Sequence, residues 1–266
     1  MPTIFDGVDE LISRSLGVMG IGELPHHRHT TSALRLSSKP SSFDGKLLVS
    51  SILARMERNW QVQRDRGVGR LGSDQNWRWE KKPHISPQNP SIETHIEKAI
   101  ANECDESWVN QVPTASGLMT STNERHCDID LAHRVSEGEF EFIELKYGSD
   151  TPVFAAFEIL KCGLLYLFSR KHAAELGYEP KKELLKAKAI TLCVLAPRPY
   201  YDRYNVAWLE SEINRALKAT VTTPGLRIDF RFEHFDPVAE DVVTLLESRK
   251  PLYSQAAVVG VSVATR

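Results

Sequence analysis

The chain lacks cysteines at ligand spacing. Cys104, Cys127, Cys162 and Cys193 are scattered with no CxxC pair, which argues against a zinc site or a disulfide framework. Each sits in or beside an apolar stretch, as buried free thiols do, and the expectation is a reducing compartment. A secretory start is missing too: the opening MPTIFDGVDELISRSLG carries acids where a signal peptide needs a basic start and an apolar run. No stretch of about 18 uninterrupted apolar residues occurs, so the sequence predicts a cytoplasmic protein with no membrane partner. Charge of one sign is scarce as well. A net charge of −2 gives no global attraction to a polyanion, and any nucleic-acid contact must come from a local basic face. No internal repeat is visible. What remains is 266 residues with 41% hydrophobic and 26% charged residues, values ordinary for a globular protein with a real core.

Residues 1–89 differ in texture from the rest. HHRHTT (26–31), SSKPSSFDG (37–45) and HISPQNP (84–90) are loop signals. Between them, residues 46–64 place apolar side chains at helical spacing, so one helix is expected within a loosely organised N-terminal extension that serves as a docking or DNA-binding arm. Residues 90–266 read as the main domain. PSIETHIEKAIANE has Pro90 in its first turn and Ile92, Ile96, Ala99 and Ile100 on one side, an amphipathic helix. WVNQVPT (108–114) reads as a strand. DIDLAHRV and EFEFIELKYG alternate around Ser136-Glu137-Gly138 and read as a hairpin. An apolar helix follows Pro152, then an interior strand AITLCVLAP (189–197), a helix over about 205–218 and a strand near 226–234.

Chemistry concentrates in the hairpin. Glu144 and Lys146 are two apart on one strand, so they project from the same face while Leu145 points into apolar packing. Whether Asp130 joins them depends on register. A two-residue turn at Glu137-Gly138 would oppose Asp130 to Leu145; a three-residue turn at 136–138 with Gly138 left-handed opposes Asp130 to Glu144, and the glycine favours the latter. Two carboxylates facing each other across a ladder repel unless one is protonated or a cation sits between them. Mg²⁺ takes one or two carboxylates and keeps water and phosphate as remaining ligands. Such an ion would polarise a phosphodiester and activate a water, with Lys146 orienting that water or neutralising developing charge. Against this stands a solvated surface cluster, which a bare D-x(13)-E-x-K pattern alone would favour. The apolar setting of FEFIELK tilts toward a central hairpin with a reason for its charges.

The motif and the order of elements over about residues 90–235 resemble the PD-(D/E)xK, or restriction-endonuclease-like, nuclease superfamily. The resemblance implies an α/β fold with an αβββαβ core, a central mixed sheet flanked by helices, here with a helical and loop N-terminal extension. It implies Asp130 and Glu144 as metal ligands, the Leu145 carbonyl as a further ligand, Lys146 as the catalytic lysine, and a first-helix acid, Glu93 or Glu97, completing the site, with Glu97 preferred. The motif's proline is missing, since Ile129 precedes Asp130, and Asp128 on the same face is a competing ligand. The cofactor implied is Mg²⁺, with Mn²⁺ as a substitute.

Other residues divide between roles. Glu158 and Lys161, three apart in the apolar helix, read either as support for the site or as an ion pair. Asn110 and Gln111 read either as phosphate or water contacts or as amides satisfying backbone groups. Arg64, Arg66, Arg70, Arg78, Lys81 and Lys82 interleave with Trp60, Trp77 and Trp79, a combination that binds nucleic acid or, the better reading, docks the arm onto the core. Arg170, Lys171, Lys181, Lys182, Lys186 and Lys188 read as a solvated basic face. His26, His27 and His29 read as a surface loop. Tyr200, Tyr201 and Tyr204 either line a groove or cap the sheet edge. The expected function is a Mg²⁺-dependent nuclease acting on DNA, with RNA open. The alternative is a catalytically silent module of the same fold, a DNA-binding or protein-interaction subunit whose extension docks a protein partner or a second copy.

Overall fold

The computed structural model describes residues 3–20, 24–65, 71–86, 88–119, 128–178 and 182–253; Arg66, Arg70, Cys127 and Lys181 lie outside them. Six strands form one sheet in the order β1-β2-β3-β4-β5-β6. They are β1 (Trp108–Val112), β2 (Ile129–Ser136), β3 (Glu139–Leu145), β4 (Ala189–Pro197), β5 (Arg227–Phe235) and β6 (Lys250–Pro251). The first three form an antiparallel meander, β3, β4 and β5 run parallel, and β6 returns antiparallel. The architecture is α/β with a mixed open sheet flanked by helices.

The helices are α1 (Val8–Ser15), α2 (Thr30–Leu34), α3 (Gly45–Asp65), α4 (Ile92–Glu103), α5 (Pro152–Lys171), α6 (Ala207–Thr220) and α7 (Val242–Glu247). Local chemistry fixes their starts. Thr151 caps α5 by accepting from Phe154 N–H (3.2 Å) with Pro152 in the first turn, and Ser91 caps α4 through Thr94 N–H (3.2 Å). On one face of the sheet α5 crosses from β3 to β4, with α3, α1 and α6 packed around it in one apolar core. Gly163 lets α5 approach closely, since a Cβ there would stand 2.5 Å from Leu192 Cδ1. On the other face, Ile100 of α4 and Val242 and Leu245 of α7 cover Leu131, Ile143, Leu145, Cys193 and Leu195. Among the described helices α5 alone is long and apolar enough to cross a membrane, and 83% of that stretch is buried inside the fold.

Residues 3–20 and 24–65 carry more order than the sequence predicts: α1 and α2 accompany the expected α3, and Ile4, Val8, Ile12, Ile52, Met56 and Trp60 share the core with α5. His26 and His27 are not a surface loop. They form a buried 3₁₀ turn in which His27 packs against Phe154 and Phe157 and its Nδ1 meets Ser13 Oγ at 3.0 Å. Burial pushes the His27 pKa down to about 3, so this imidazole stays neutral.

Candidate functional site

The hairpin decides the geometry. Leu131 pairs with Ile143 and Ala132 with Phe142, and the same register carried one step further sets Asp130 opposite Glu144. The means differ from the expected three-residue turn. Ser136 pairs with Glu139 around a two-residue turn at Glu137-Gly138, and the register shifts by one between Arg134 and Ser136. The extra residue, Val135, is exposed and bulges. Gly138 is left-handed (φ 80°), so a tight turn plus a bulge yields the register that a longer turn would give.

Asp130, Glu144 and Lys146 therefore share the face that carries Ala132 and Phe142, while Leu145 packs on the other side. Asp130 Oδ2 accepts from Leu145 N–H (2.9 Å), and Lys146 N–H extends the ladder to Leu195 carbonyl oxygen (2.9 Å). Glu144 and Lys146 are 6% and 7% exposed, and Asp130 keeps part of its surface open to a cleft of about 700 Å³. Lys146 Nζ bridges Glu144 (2.7 Å) and Glu158 of α5 (3.0 Å). Glu158 thus joins the site rather than serving only its own helix, while Lys161 donates to Asp9 of α1 (3.3 Å).

Electrostatics follow from this crowding. Burial pushes Asp130 up to about 7, with Glu97 and Glu158 adding to the rise against the pull of Lys146 and the Leu145 N–H. Burial first, and the charge of Asp130 next, raise Glu144 well above the usual carboxylate range. Burial alone would lower Lys146, but Glu144, Glu158 and Asp130 raise it, so the lysine is a fixed cation.

The two first-helix candidates separate cleanly. Glu97 lines the cleft, buried, accepting from Asn110 Nδ2 (2.6 Å) with Lys98 at 3.5 Å, and burial raises its pKa. Glu93 does not line the cleft: its Oε1 accepts from Tyr147 N–H (2.8 Å) and Ser149 Oγ (2.7 Å), tying down the loop after β3. One turn of helix carries it past the site. Asp128 reaches the cleft as well.

The basic and aromatic stretch is divided by the fold. Trp77 is 1% exposed between Phe142 and Tyr166, so it has no face to offer a base. Trp79 lies against Phe140, its Nε1 donating to Glu106 carbonyl oxygen (3.0 Å), and Lys81 Nζ donates to Cys104 carbonyl oxygen (2.8 Å). Arg78 is exposed beside Gln75 and Glu80. Lys82 and Gln75 do line the cleft. Tyr201 is a sheet cap, its hydroxyl sharing one proton between the carbonyl oxygens of Val194 and Glu233 (3.0 Å each).

Gln111 is a residue to which the sequence pattern gives little weight. It lies between the pairs Asn110–Leu131 and Val112–Ile129, opposite Asp130, with φ 48°, and it lines the cleft. A left-handed non-glycine inside a strand costs on the order of 1–3 kcal/mol and tends to persist where function holds it. Only the sheet register reveals it.

The donor set fits a hard cation: two opposed carboxylates, both raised by burial, Glu144 further by Asp130 and Asp130 further by Glu97 and Glu158, with Glu97 and Asp128 on the same cleft. Among the described residues no group of three or more His, Cys, Asp or Glu side chains is gathered closely enough to hold a metal by itself, but Mg²⁺ asks for only one or two carboxylates. Comparison of the chain with family models, with curated proteins and with solved structures finds no match in any of the three.

Proposed function

We propose that the chain is a metal-dependent nuclease that hydrolyses phosphodiester bonds of DNA, with the restriction-endonuclease-like αβββαβ core formed by α4, β1, β2, β3, α5 and β4. The observation that carries the reading is Asp130 opposed to Glu144 with Lys146 on the same face, at the floor of a cleft. Carboxylates forced together without compensation cost free energy, and they are retained where a cation is to be bound.

Asp130 and Glu144 would hold Mg²⁺ or Mn²⁺, with the Leu145 carbonyl and Glu97 completing the oxygen set. The ion would supply Lewis acidity at the phosphate and lower the pKa of an attacking water. The rest falls to the protein. Lys146, held permanently charged, stabilises the negative charge that develops on the phosphoryl oxygens. Gln111 and Asn110 orient the Glu97 side, and Lys82 on the cleft wall offers a positive charge to the nucleic-acid backbone. A cytoplasmic setting suits such a substrate.

The test is cleavage of plasmid DNA and of labelled single- and double-stranded oligonucleotides with Mg²⁺ or Mn²⁺. The wild type is expected to cut and Lys146→Ala to lose roughly 10³-fold in turnover, compared at a temperature where the variant is folded, because removing this buried cation from Glu144 and Glu158 also lowers stability. If the wild type cuts neither DNA nor RNA with either cation, yet binds DNA or a protein without metal, the fold is a silent binding module and the reading fails.

A further inference from the structure

Lys146 has two carboxylate partners from different elements, and they are not equivalent. Glu144 comes from its own strand, is 8% exposed at the side chain, and faces Asp130. Glu158 comes from α5, is 28% exposed at the side chain, and its buried Oε2 is the atom that faces Lys146 Nζ at 3.0 Å. The ammonium carries three donors, so it holds both acids at once and remains held if one is withdrawn.

A carboxylate bonded to an ammonium at 2.7 Å is a poor cation ligand, because the incoming ion meets a positive charge at the same oxygens. The site as built therefore needs somewhere to put Lys146. We propose that Glu158 is a positioning residue: it retains Lys146 over the cleft when Asp130 and Glu144 are given over to a divalent cation. This rests on the nuclease reading above. Glu158 shifts the lysine's bonds away from Glu144 without losing its charge from the cleft. No covalent bond changes. The hand-over is a side-chain exchange on a fixed backbone, since Lys146 N–H and Leu145 N–H remain bonded to Leu195 and Asp130.

The experiment is calorimetric titration of the full chain with Mn²⁺ in the absence of nucleic acid, for the wild type, Glu158→Gln, Lys146→Ala and the double variant, with unfolding midpoints recorded for each. Glu158→Gln is expected to weaken Mn²⁺ binding about tenfold, because Lys146 then stays on Glu144. In the Lys146→Ala background the same substitution should change nothing, and that non-additivity is a signature a purely structural role would not give. Glu158→Asp, which keeps the charge one methylene shorter, should recover part of the loss and serves for the cycle if the glutamine variant does not fold. An equal loss in both backgrounds would make Glu158 a direct ligand or a fold element, and no loss in either would make it a bystander; both overturn the proposal while leaving a cleaving wild type intact. A wild type that neither binds Mn²⁺ nor cleaves overturns the nuclease reading together with it.

Discussion

Strand β3 carries two buried glutamates, Glu141 and Glu144, on opposite faces, and the fold treats them in opposite ways. Glu141 is matched: its carboxylate meets His133 Nδ1 (3.0 Å), Arg249 (3.2 Å) and Arg231, and both arginines go on to Glu233. Trp108 stacks on His133 at 4.1 Å, and Arg249 lies over Trp108. Burial would raise Glu141, but these partners bring it down to about 2. Glu144 has one lysine, shared with Glu158, and an acid across the ladder. Its pKa moves up. A buried acid with its bases supplied is a structural device; a buried acid opposed by another acid is a place prepared for something else.

The largest effect that would sharpen this contrast is on the matched side. Glu141→Gln leaves two arginines short of a partner, one of them only 12% exposed at the side chain. Removing one member of a buried charge network costs roughly 3 kcal/mol or more. Urea unfolding at pH 7 should show that loss, while cleavage at a temperature where the variant is folded should be unchanged. A variant as stable as the wild type but inactive would reverse the roles assigned to the two faces of β3.

On the opposed side the sign should invert. Asp130→Asn keeps an acceptor for Leu145 N–H and removes the charge facing Glu144. With a chelator present at pH 8 it should stabilise the protein by about 1–3 kcal/mol, less than its full pKa rise would give because Asp130 is open to the cleft on one side. Cleavage should disappear in the same variant. Added Mn²⁺ should raise the unfolding midpoint of the wild type and not of this variant. If Asp130→Asn is destabilising, the two carboxylates are not in conflict and the argument for a cation between them is lost.

How much of this was legible in the sequence follows the range of the interactions. Local chemistry carried far: Pro152 and Thr151 start α5 where the sequence places it, AITLCVLAP spans β4 from Ala189 to Pro197, and Gly138 marks the register. Register in turn put Asp130, Glu144 and Lys146 on one face. The bulge at Val135 was hidden because a tight turn plus a bulge and a longer turn give the same pairing. Contacts between distant segments could not be read. Glu158 lies fourteen residues after Glu144, and nothing in its helix says that it turns to Lys146 rather than to Lys161. Glu93 and Glu97 are separated only by how α4 is rotated on β1. His27 reads as part of a surface loop because its neighbours are polar, yet it is buried by Phe154 and Phe157, more than a hundred positions away; docking of Trp77 onto the core is the better reading, but its seat between Phe142 and Tyr166 is not legible. The Glu141 network draws on β2, β3, β5 and the approach to β6, and no motif announces it.

The smallest effect is also the most direct comparison, because pH acts on the two faces of the β2–β3 hairpin in opposite directions. Asp130 is raised from 3.8 to about 7 in the folded protein, so its contribution to stability is complete below about pH 4 and lost as pH rises through 7. Glu141 is lowered from 4.5 to about 2, so its contribution is complete above about pH 4.5 and lost as pH falls toward 2. Each group contributes a slope of at most about 1.4 kcal/mol per pH unit within its window. Urea midpoints measured in chelator from pH 3 to 8 should therefore fall at both ends. Asp130→Asn should flatten only the neutral limb and Glu141→Gln only the acid limb. Should Asp130→Asn leave the neutral limb as steep as in the wild type, the proton released between pH 5 and 8 belongs to another group, and the frustration at the cleft floor is smaller than the geometry implies.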